Sequence, residues 1–227
     1  MLRAAAGLVR RHAILLTLTL IIVIHAVDRL AIVILLEDIK RDLQLSDAQL
    51  GLLSGFAFVA LYVVAGIPMA FFSDRANRSR MIGTALTAMG AMTMLCGMAQ
   101  NFFQLIAARC GLGISASPCV PAAHSIIADI YPPAQRTTAL SISEAGFFLG
   151  SFIGLWVCGW IATEHGWRAA FFAIGTLPLL LGLAVLAWLR DPVRGLRAAT
   201  VRLGFRDAIQ TIVGVRSVRW YVAGSAF

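Results

Sequence analysis

The sequence predicts an all-α integral membrane protein that crosses the bilayer six times. Hydrophobic residues make up 59% of the chain and charged residues only 13%, against roughly 25% charged residues in soluble domains. Six apolar stretches of about 20 or more residues follow one another, each long enough for a helix to cross roughly 30 Å of hydrocarbon. They lie at approximately 13–35, 48–72, 80–100, 103–128, 138–163 and 168–190.

The distribution of positive charge predicts the orientation. With a cytoplasmic N-terminus, only Lys40, Arg41 and Arg168 of the 19 lysines and arginines fall in external loops. Because cations collect in cytoplasmic segments, we expect a multi-pass protein of the cell membrane with its N-terminus inside. Anionic lipid at the inner surface explains the net charge of +8, so membrane lipid is an expected partner and nucleic acid is not.

The chain divides into four segments by this reading. Residues 1–12 form a cytoplasmic arm, and 13–190 form the six-helix bundle, whose second helix opens with a capping box at Ser46 and Gln49. Residues 191–217 form a basic cytoplasmic linker with an amphipathic helix. Residues 218–227 begin a seventh apolar span and stop far short of a crossing.

Charged residues within the spans are the strongest candidates for function, because each costs at least about 2.5–3.5 kcal/mol near the bilayer centre. His25, Asp28 and Arg29 share one broad face of the first helix. If this face lines a water-filled cavity, Asp28 can exchange a proton, while Arg29 binds an anionic group or keeps Asp28 ionised. The alternative is a buried structural ion pair.

Three further ionisable residues lie within the fourth and fifth spans. Glu144 and His124 lie at similar depths from the inner side, so they could meet across neighbouring helices as a proton-sensitive pair or as a contact that locks the helices together. Arg109 opens the fourth span, where it could line a cavity or reach the interface by snorkelling. On the fifth span, Gly146, Gly150 and Gly154 predict close helix packing, either static or sliding.

Enzyme and metal chemistry have little support in the sequence. Ser115 lies in a segment resembling a serine nucleophile motif, but His124 is two and a half turns along the same helix and out of its reach. The four cysteines all fall inside apolar spans without a C-x-x-C pair, which is typical of small buried hydrophobic residues. We therefore expect no enzyme activity, metal or cofactor.

Several motifs together resemble the major facilitator superfamily, specifically its spinster-like branch. The similarity covers the chain to about Gly195 as the N-terminal six-helix half. The loop Ser73-Asp74-Arg75-Ala76-Asn77-Arg78 resembles the superfamily signature, with Asn77 as the spinster-like variant. The other matching positions are Asp28-Arg29, Arg109 with Gly113, Pro121 to Ser125, Ile127 to Asp129, the glycine row of the fifth helix and Arg190 to Gly195.

The resemblance implies two inverted three-helix repeats in one bundle and places roles on particular residues. Asp74 and Arg75 would latch the cytoplasmic helix ends, with Arg78 or Arg75 paired to Asp129. Asp28 and Arg29 would line the central cavity and take part in proton coupling. Two positions depart from the family pattern: Ala70 replaces a glycine, and Ala116 replaces a glutamate, whose part in coupling Glu144 could take over.

The function expected from this resemblance is proton-coupled secondary transport of a small amphipathic or anionic solute by alternating access. Alternating access requires two bundles, so the expected partner is a missing C-terminal half or a second copy of the chain. The alternative is that this half-length product does not transport, and is an inert truncation or a partner subunit of a full-length transporter.

Overall fold

A computed structural model of the chain describes residues 2–73 and 77–188. Side-chain environments are described from residue 11 onward, with gaps at 56–58, 60, 67 and 70–73. Asp74, Arg75 and the predicted segments 191–217 and 218–227 lie outside the described residues.

Every regular element in the described ranges is helical, which confirms the predicted all-α class. The helices are α1 (Leu2–Leu43), α2 (Asp47–Gly51), a π-helical turn (Leu52–Phe56), α3 (Ala57–Ser73), α4 (Arg78–Met98), α5 (Phe102–Ala116), α6 (Cys119–Ile130) and α7 (Pro133–Trp188). Gly166, with φ +82°, interrupts α7. Its two parts are called α7a (133–165) and α7b (167–188).

These elements correspond to the six predicted spans. By length and composition, four helical segments are apolar enough to cross a membrane: Arg11–Leu43, Arg78–Met98, Phe102–Ile130 and Pro133–Ala187. The last has 55 residues, enough for two crossings at 1.5 Å per residue, with Gly166 between them. The second predicted span is the run from α2 to α3, which the π-helical turn interrupts.

Side-chain caps define where three of the helices begin. The predicted capping box is present, since Ser46 Oγ accepts from the Gln49 amide and the Gln49 side chain accepts from the Ser46 amide. Asn77 caps α4 and Asn101 caps α5 in the same way. These bonds satisfy amide donors that have no partner inside the helix. After the orientation predicted from charge, we call the Ser46 and Asn101 ends outer and the Asn77 end inner.

Helices α4 and α7b approach each other through a row of glycines spaced seven residues apart. Gly83 and Gly90 on α4 lie against Gly182 and Gly175 on α7b. A Cβ atom on Gly90 would lie 2.5 Å from the Leu179 nitrogen and 2.6 Å from the Gly175 carbonyl oxygen. The two backbones are therefore in direct contact, a packing mode that small residues allow within a membrane.

The glycine row predicted on the fifth span packs against α1. A Cβ atom on Gly154 would lie 3.0 Å from the Val27 Cα, and one on Gly146 would lie 2.8 Å from the Thr19 Cγ2. Gly150 lies between them, directly against the Val23 backbone. Close packing is thus present at all three glycines. Sliding of α7a against α1 at these glycines stays a prediction.

An outer cluster of polar contacts connects α1, α4 and α7b. Asp42 accepts hydrogen bonds from Arg168 Nη1 at 2.5 Å and from the Trp167 indole at 3.3 Å. Arg168 Nη2 also donates to the Ala99 carbonyl at 3.2 Å. The cluster holds the outer ends of three helices together around one carboxylate.

Candidate functional site

Asp28 lies near the middle of α1 and is buried at the interface with α4, with 2% of its surface exposed. Thr93 Oγ1 lies within hydrogen-bonding distance of Asp28 Oδ1 and also lies 3.0 Å from the Met89 carbonyl. A hydroxyl group carries one hydrogen and can donate to only one of these oxygens at a time. When Asp28 is ionised, Thr93 donates to it; when Asp28 is protonated, the carboxyl group can donate to Thr93 Oγ1 instead.

Arg109, on α5, is a buried cation whose charge acts on Asp28. The two groups interact electrostatically, and the Arg109 side chain on α5 is also buried, with 1% exposed. Burial to this degree is the opposite of snorkelling, which would place the guanidinium in water. Arg109 therefore does not snorkel within the described bundle, and its role in lining a cavity stays a prediction.

Arg29 has a different environment from its neighbour Asp28. Its side chain is exposed on the surface of the described bundle, whereas His25 is 3% exposed and stacks on Tyr62 with ring centroids 5.8 Å apart. Arg29 and Glu144 both interact electrostatically with Tyr62. The residues predicted to share one face are thus divided, with His25 and Asp28 inside and Arg29 on an open surface.

Glu144 and His124 meet across α6 and α7a, as their similar depths predicted. The distance from His124 Nε2 to Glu144 Oε1 is 2.7 Å, and both side chains are partly open, at 37% and 51% exposed. This contact connects the two helices. Its part in proton coupling stays a prediction.

On the inner side, Arg78 forms an ion pair with Asp129. Arg78 begins α4 and Asp129 lies in the last turn of α6, and both side chains are largely buried, at 13% and 15% exposed. Of the two arginines that the resemblance suggested for this role, the described structure places Arg78 there. Asp74 and Arg75 lie outside the described residues, so their roles in the latch stay predictions.

We expect Arg78→Gln to lower the free energy of unfolding by about 1.5–3 kcal/mol, the usual contribution of a hydrogen bond to a charged group. The measurement is thermal unfolding in detergent, followed by circular dichroism. Arg80→Gln is the matched control, because Arg80 is exposed and its replacement should change stability little. Equal unfolding midpoints for the two variants would show that the pair does not stabilise the bundle.

Thr93 is the one member of the buried cluster that the sequence did not single out. A lone threonine in an apolar stretch usually bonds to the carbonyl four residues earlier, as Thr93 does with Met89. Its proximity to Asp28 depends on how α1 and α4 pack, which no local pattern records. Within the described ranges, no group of three His, Cys, Asp or Glu side chains could hold a metal ion.

Comparison with known proteins identifies the family that shares this arrangement. The sequence profile of the Major Facilitator Superfamily matches residues 18–227. The chain belongs to the major facilitator superfamily. It is 37% identical to an efflux pump of this type from Mycolicibacterium smegmatis, over 74% of the chain and 39% of the pump.

The resemblance to the spinster-like branch of the superfamily is also confirmed. A solved structure of a bacterial homologue of the human lysosomal transporter Spinster, inward-facing and unoccupied, matches with a TM-score of 0.72 and 33% identity. The match covers 82% of this chain and 44% of that one. A sphingosine-1-phosphate transporter of Danio rerio is 28% identical over 76% of the chain and 35% of its own length.

These matches make the chain a member of a transporter family rather than an enzyme family. The chain spans less than half the length of the relatives it matches, between 35% and 44% for the three described.

Proposed function

We propose that this chain forms one half of a proton-coupled secondary transporter for a small amphipathic or anionic solute. The observation that carries the proposal is the buried cluster of Asp28, Thr93 and Arg109, which joins α1, α4 and α5. Three helices that meet at one titratable carboxylate can respond together when that carboxylate gains or loses a proton.

The charges of Asp28 and Arg109 explain why a proton would matter. While Asp28 is ionised, its negative charge compensates the buried guanidinium beside it. Protonation removes that attraction, and removal of one partner from a buried pair of charges typically costs about 3–5 kcal/mol. A free energy of this size can shift the balance between two arrangements of the helices, as coupled transport requires.

Protonation of Asp28 would also change its hydrogen bond with Thr93. With Asp28 ionised, the carboxylate can only accept, so the Thr93 hydroxyl donates to it. With Asp28 protonated, the carboxyl can donate to Thr93 Oγ1, which frees the hydroxyl hydrogen for the Met89 carbonyl at 3.0 Å. Both protonation states can keep a hydrogen bond between α1 and α4, so the proton can be exchanged without separating these helices.

The open surface near Tyr62 is the proposed solute-facing side. Arg29 is exposed there, and an arginine is suited to binding carboxylate or phosphate groups. The partly open pair of His124 and Glu144 would form a second proton-sensitive contact, with Glu144 acting where the family's usual glutamate is replaced by Ala116. Together they would offer a solute a cation beside a hydrogen-bonded imidazole and carboxyl group.

A second six-helix bundle completes the proposal, since alternating access places the solute between two bundles. It would be supplied by a further part of a longer protein or by a second copy of this chain. The observation behind this step is that the chain covers under half of each described relative. If instead it acts as a non-transporting partner of a full-length transporter, it would show no flux on its own.

The test is uptake into proteoliposomes with an imposed pH gradient, using labelled sphingosine-1-phosphate and benzoate as amphipathic and anionic probes. We expect wild-type uptake of at least one probe to depend on the gradient, and Asp28→Asn to abolish that dependence. Asp38→Asn is the matched control, because Asp38 is exposed at the outer end of α1. Both variants must elute as monodisperse protein before reconstitution.

Two outcomes would contradict the proposal. If gradient-driven uptake persists in a folded Asp28→Asn variant, Asp28 is not the group that carries the coupled proton. Absence of flux for both probes with the folded chain alone would favour the non-transporting alternative.

A further inference from the structure

A cavity of about 530 Å³ lies between the outer parts of α4 and α5. Its volume falls within the range of about 300–1,000 Å³ that is typical of sites for small organic molecules. Its lining includes no member of the Asp28 cluster, no Arg29 and no other charged residue. The transport proposal does not use it.

The walls of the cavity change from polar to apolar with depth. Gln100 and Gln104 lie at its outer end, beside the loop that joins α4 to α5, and Met92 and Leu95 lie further along α4. Six residues separate Met92 from Met98 at the end of α4, so the apolar part extends about 9 Å inward at 1.5 Å per residue. A lipid likewise changes from a polar head group at the membrane surface to an apolar chain deeper in the bilayer.

The polar end offers neutral hydrogen-bond donors. Gln104 Oε1 accepts a bond from the Gln100 amide at 2.8 Å, which leaves the two hydrogens of the Gln104 side-chain nitrogen available. The Gln100 side chain is exposed and has a second amide group. Uncharged amide donors are suited to the ester and phosphoryl oxygens of a lipid. A free anion would instead bind better to a cationic side chain.

The cavity opens onto an apolar surface that is exposed in the described bundle. Leu95, Met98 and Phe103 are 44%, 60% and 78% exposed beside it. The opposite, glycine-bearing face of α4 is already occupied by α7b. In a membrane protein, an exposed apolar belt faces lipid, and a groove within that belt is continuous with the bilayer.

We propose that this cavity binds a phospholipid of the outer leaflet, with one acyl chain against Met92 and Leu95. The ester oxygens of the lipid accept hydrogen bonds from Gln100 and Gln104. An amphiphile places polar oxygens beside these amides and an apolar chain beside the methionine-lined part, whereas a purely apolar or purely polar molecule matches only one of the two ends. The site therefore selects an amphiphile with a neutral hydrogen-bonding region above its chain.

Photo-crosslinking in vesicles tests the proposal. The whole chain is reconstituted in phosphatidylcholine containing a trace of phosphatidylcholine with a diazirine group in its acyl chain. After illumination, trypsin releases residues 81–109, which carry every wall of the cavity, and residues 169–190, which cover most of α7b. We expect labelling of 81–109 to exceed that of 169–190 about tenfold, as a selective site worth about 1.4 kcal/mol would produce.

Two variants probe the two ends of the site. Ala107→Trp fills the apolar part and should reduce labelling of 81–109 to the level of 169–190. Its matched control is Ala184→Trp, the same change at another exposed alanine on α7b, which should leave the ratio unchanged. Gln104→Leu removes one amide without adding bulk and should lower the ratio about threefold, as expected for one lost hydrogen bond.

Three results would overturn the assignment. Equal labelling of the two peptides in the wild type would mean that lipid contacts the whole surface without selection. Unchanged labelling in Ala107→Trp, with helicity and elution volume intact, would place the bound lipid elsewhere. Absence of label from 81–109 would mean that protein, from a second bundle or another copy, covers the cavity.

Discussion

Replacing Gly90 by leucine is expected to prevent α4 and α7b from packing, and to yield little or no folded protein. A Cβ atom at this position would lie 2.5–2.9 Å from backbone atoms of Leu179 and 2.6 Å from the Gly175 carbonyl oxygen. Backbone atoms cannot rotate away as a side chain can, so the helices must separate. Overpacking usually costs about 1–3 kcal/mol, and we expect about 3 kcal/mol or more here.

The measurement is the yield of monodisperse protein in detergent and the midpoint of thermal unfolding. Gly159→Leu is the matched control, because a Cβ atom on Gly159 would have nothing within 4 Å. That variant should fold as well as the wild type, since leucine also favours helix more than glycine does. Similar unfolding midpoints for the two leucine variants would show that α4 and α7b do not pack as described.

The second large effect is expected at the buried charge beside Asp28. Arg109→Leu should lower the free energy of unfolding by about 3–5 kcal/mol, because the Asp28 carboxylate would remain in the interior without its cation. The double variant Asp28→Asn with Arg109→Leu should recover most of this loss. A neutral pair leaves no buried charge to compensate, and the asparagine amide oxygen in place of the Asp28 carboxylate can still accept a hydrogen bond from Thr93.

The wild type, the two single variants and the double variant form a double-mutant cycle, in which each single variant is a control for the other. If the two residues interact, the loss in the double variant should be smaller than the sum of the losses in the single variants by about 3 kcal/mol, the upper end of the coupling energies usually measured between interacting residues. Additive losses would mean that Arg109 and Asp28 are stabilised independently. Thermal or denaturant unfolding in a single detergent is sufficient, since only differences between variants are compared.

The six spans and the capping box could be predicted from the sequence because local composition determines them. Hydrophobic length alone identifies a membrane helix, and Ser46 with Gln49 needs only a four-residue window. The contact between His124 and Glu144 was also predictable, because polar residues at equal depth on adjacent spans have few other partners. Family resemblance and the charge at the inner end of α6 indicated Arg78 or Arg75 as the partner of Asp129, and the structure shows the pair with Arg78.

The neighbours of Asp28 could not be derived in the same way. Adjacency in sequence suggested Arg29 as its partner, whereas consecutive residues on a helix point about 100° apart. The structure places Arg109 and Thr93 beside Asp28, from helices that are distant in the chain. Which helices meet at Asp28 depends on packing over the whole bundle, and a single sequence contains no direct record of it.

The α4–α7b glycines show a related limit. A spacing of four residues, as in Gly146 and Gly150, is a familiar packing motif and predicts a close helix contact by itself. The spacing of seven between Gly83 and Gly90 becomes meaningful only when Gly175 and Gly182 are seen opposite them on another helix. Each seven-residue spacing alone is a weak signal, and the interface is identified only when the glycines of α4 and α7b are seen to face each other.

The corner at Gly166 has a consequence for how the outer side can be studied. One residue in a left-handed conformation, with φ +82°, joins two long helices, and side chains other than glycine rarely adopt that backbone geometry. The junction has no spare length, so an epitope or fluorophore inserted there would force the flanking turns apart. The link between α1 and α2, where Gln44 is exposed and lies outside any helix, is the better place for a reporter on this side.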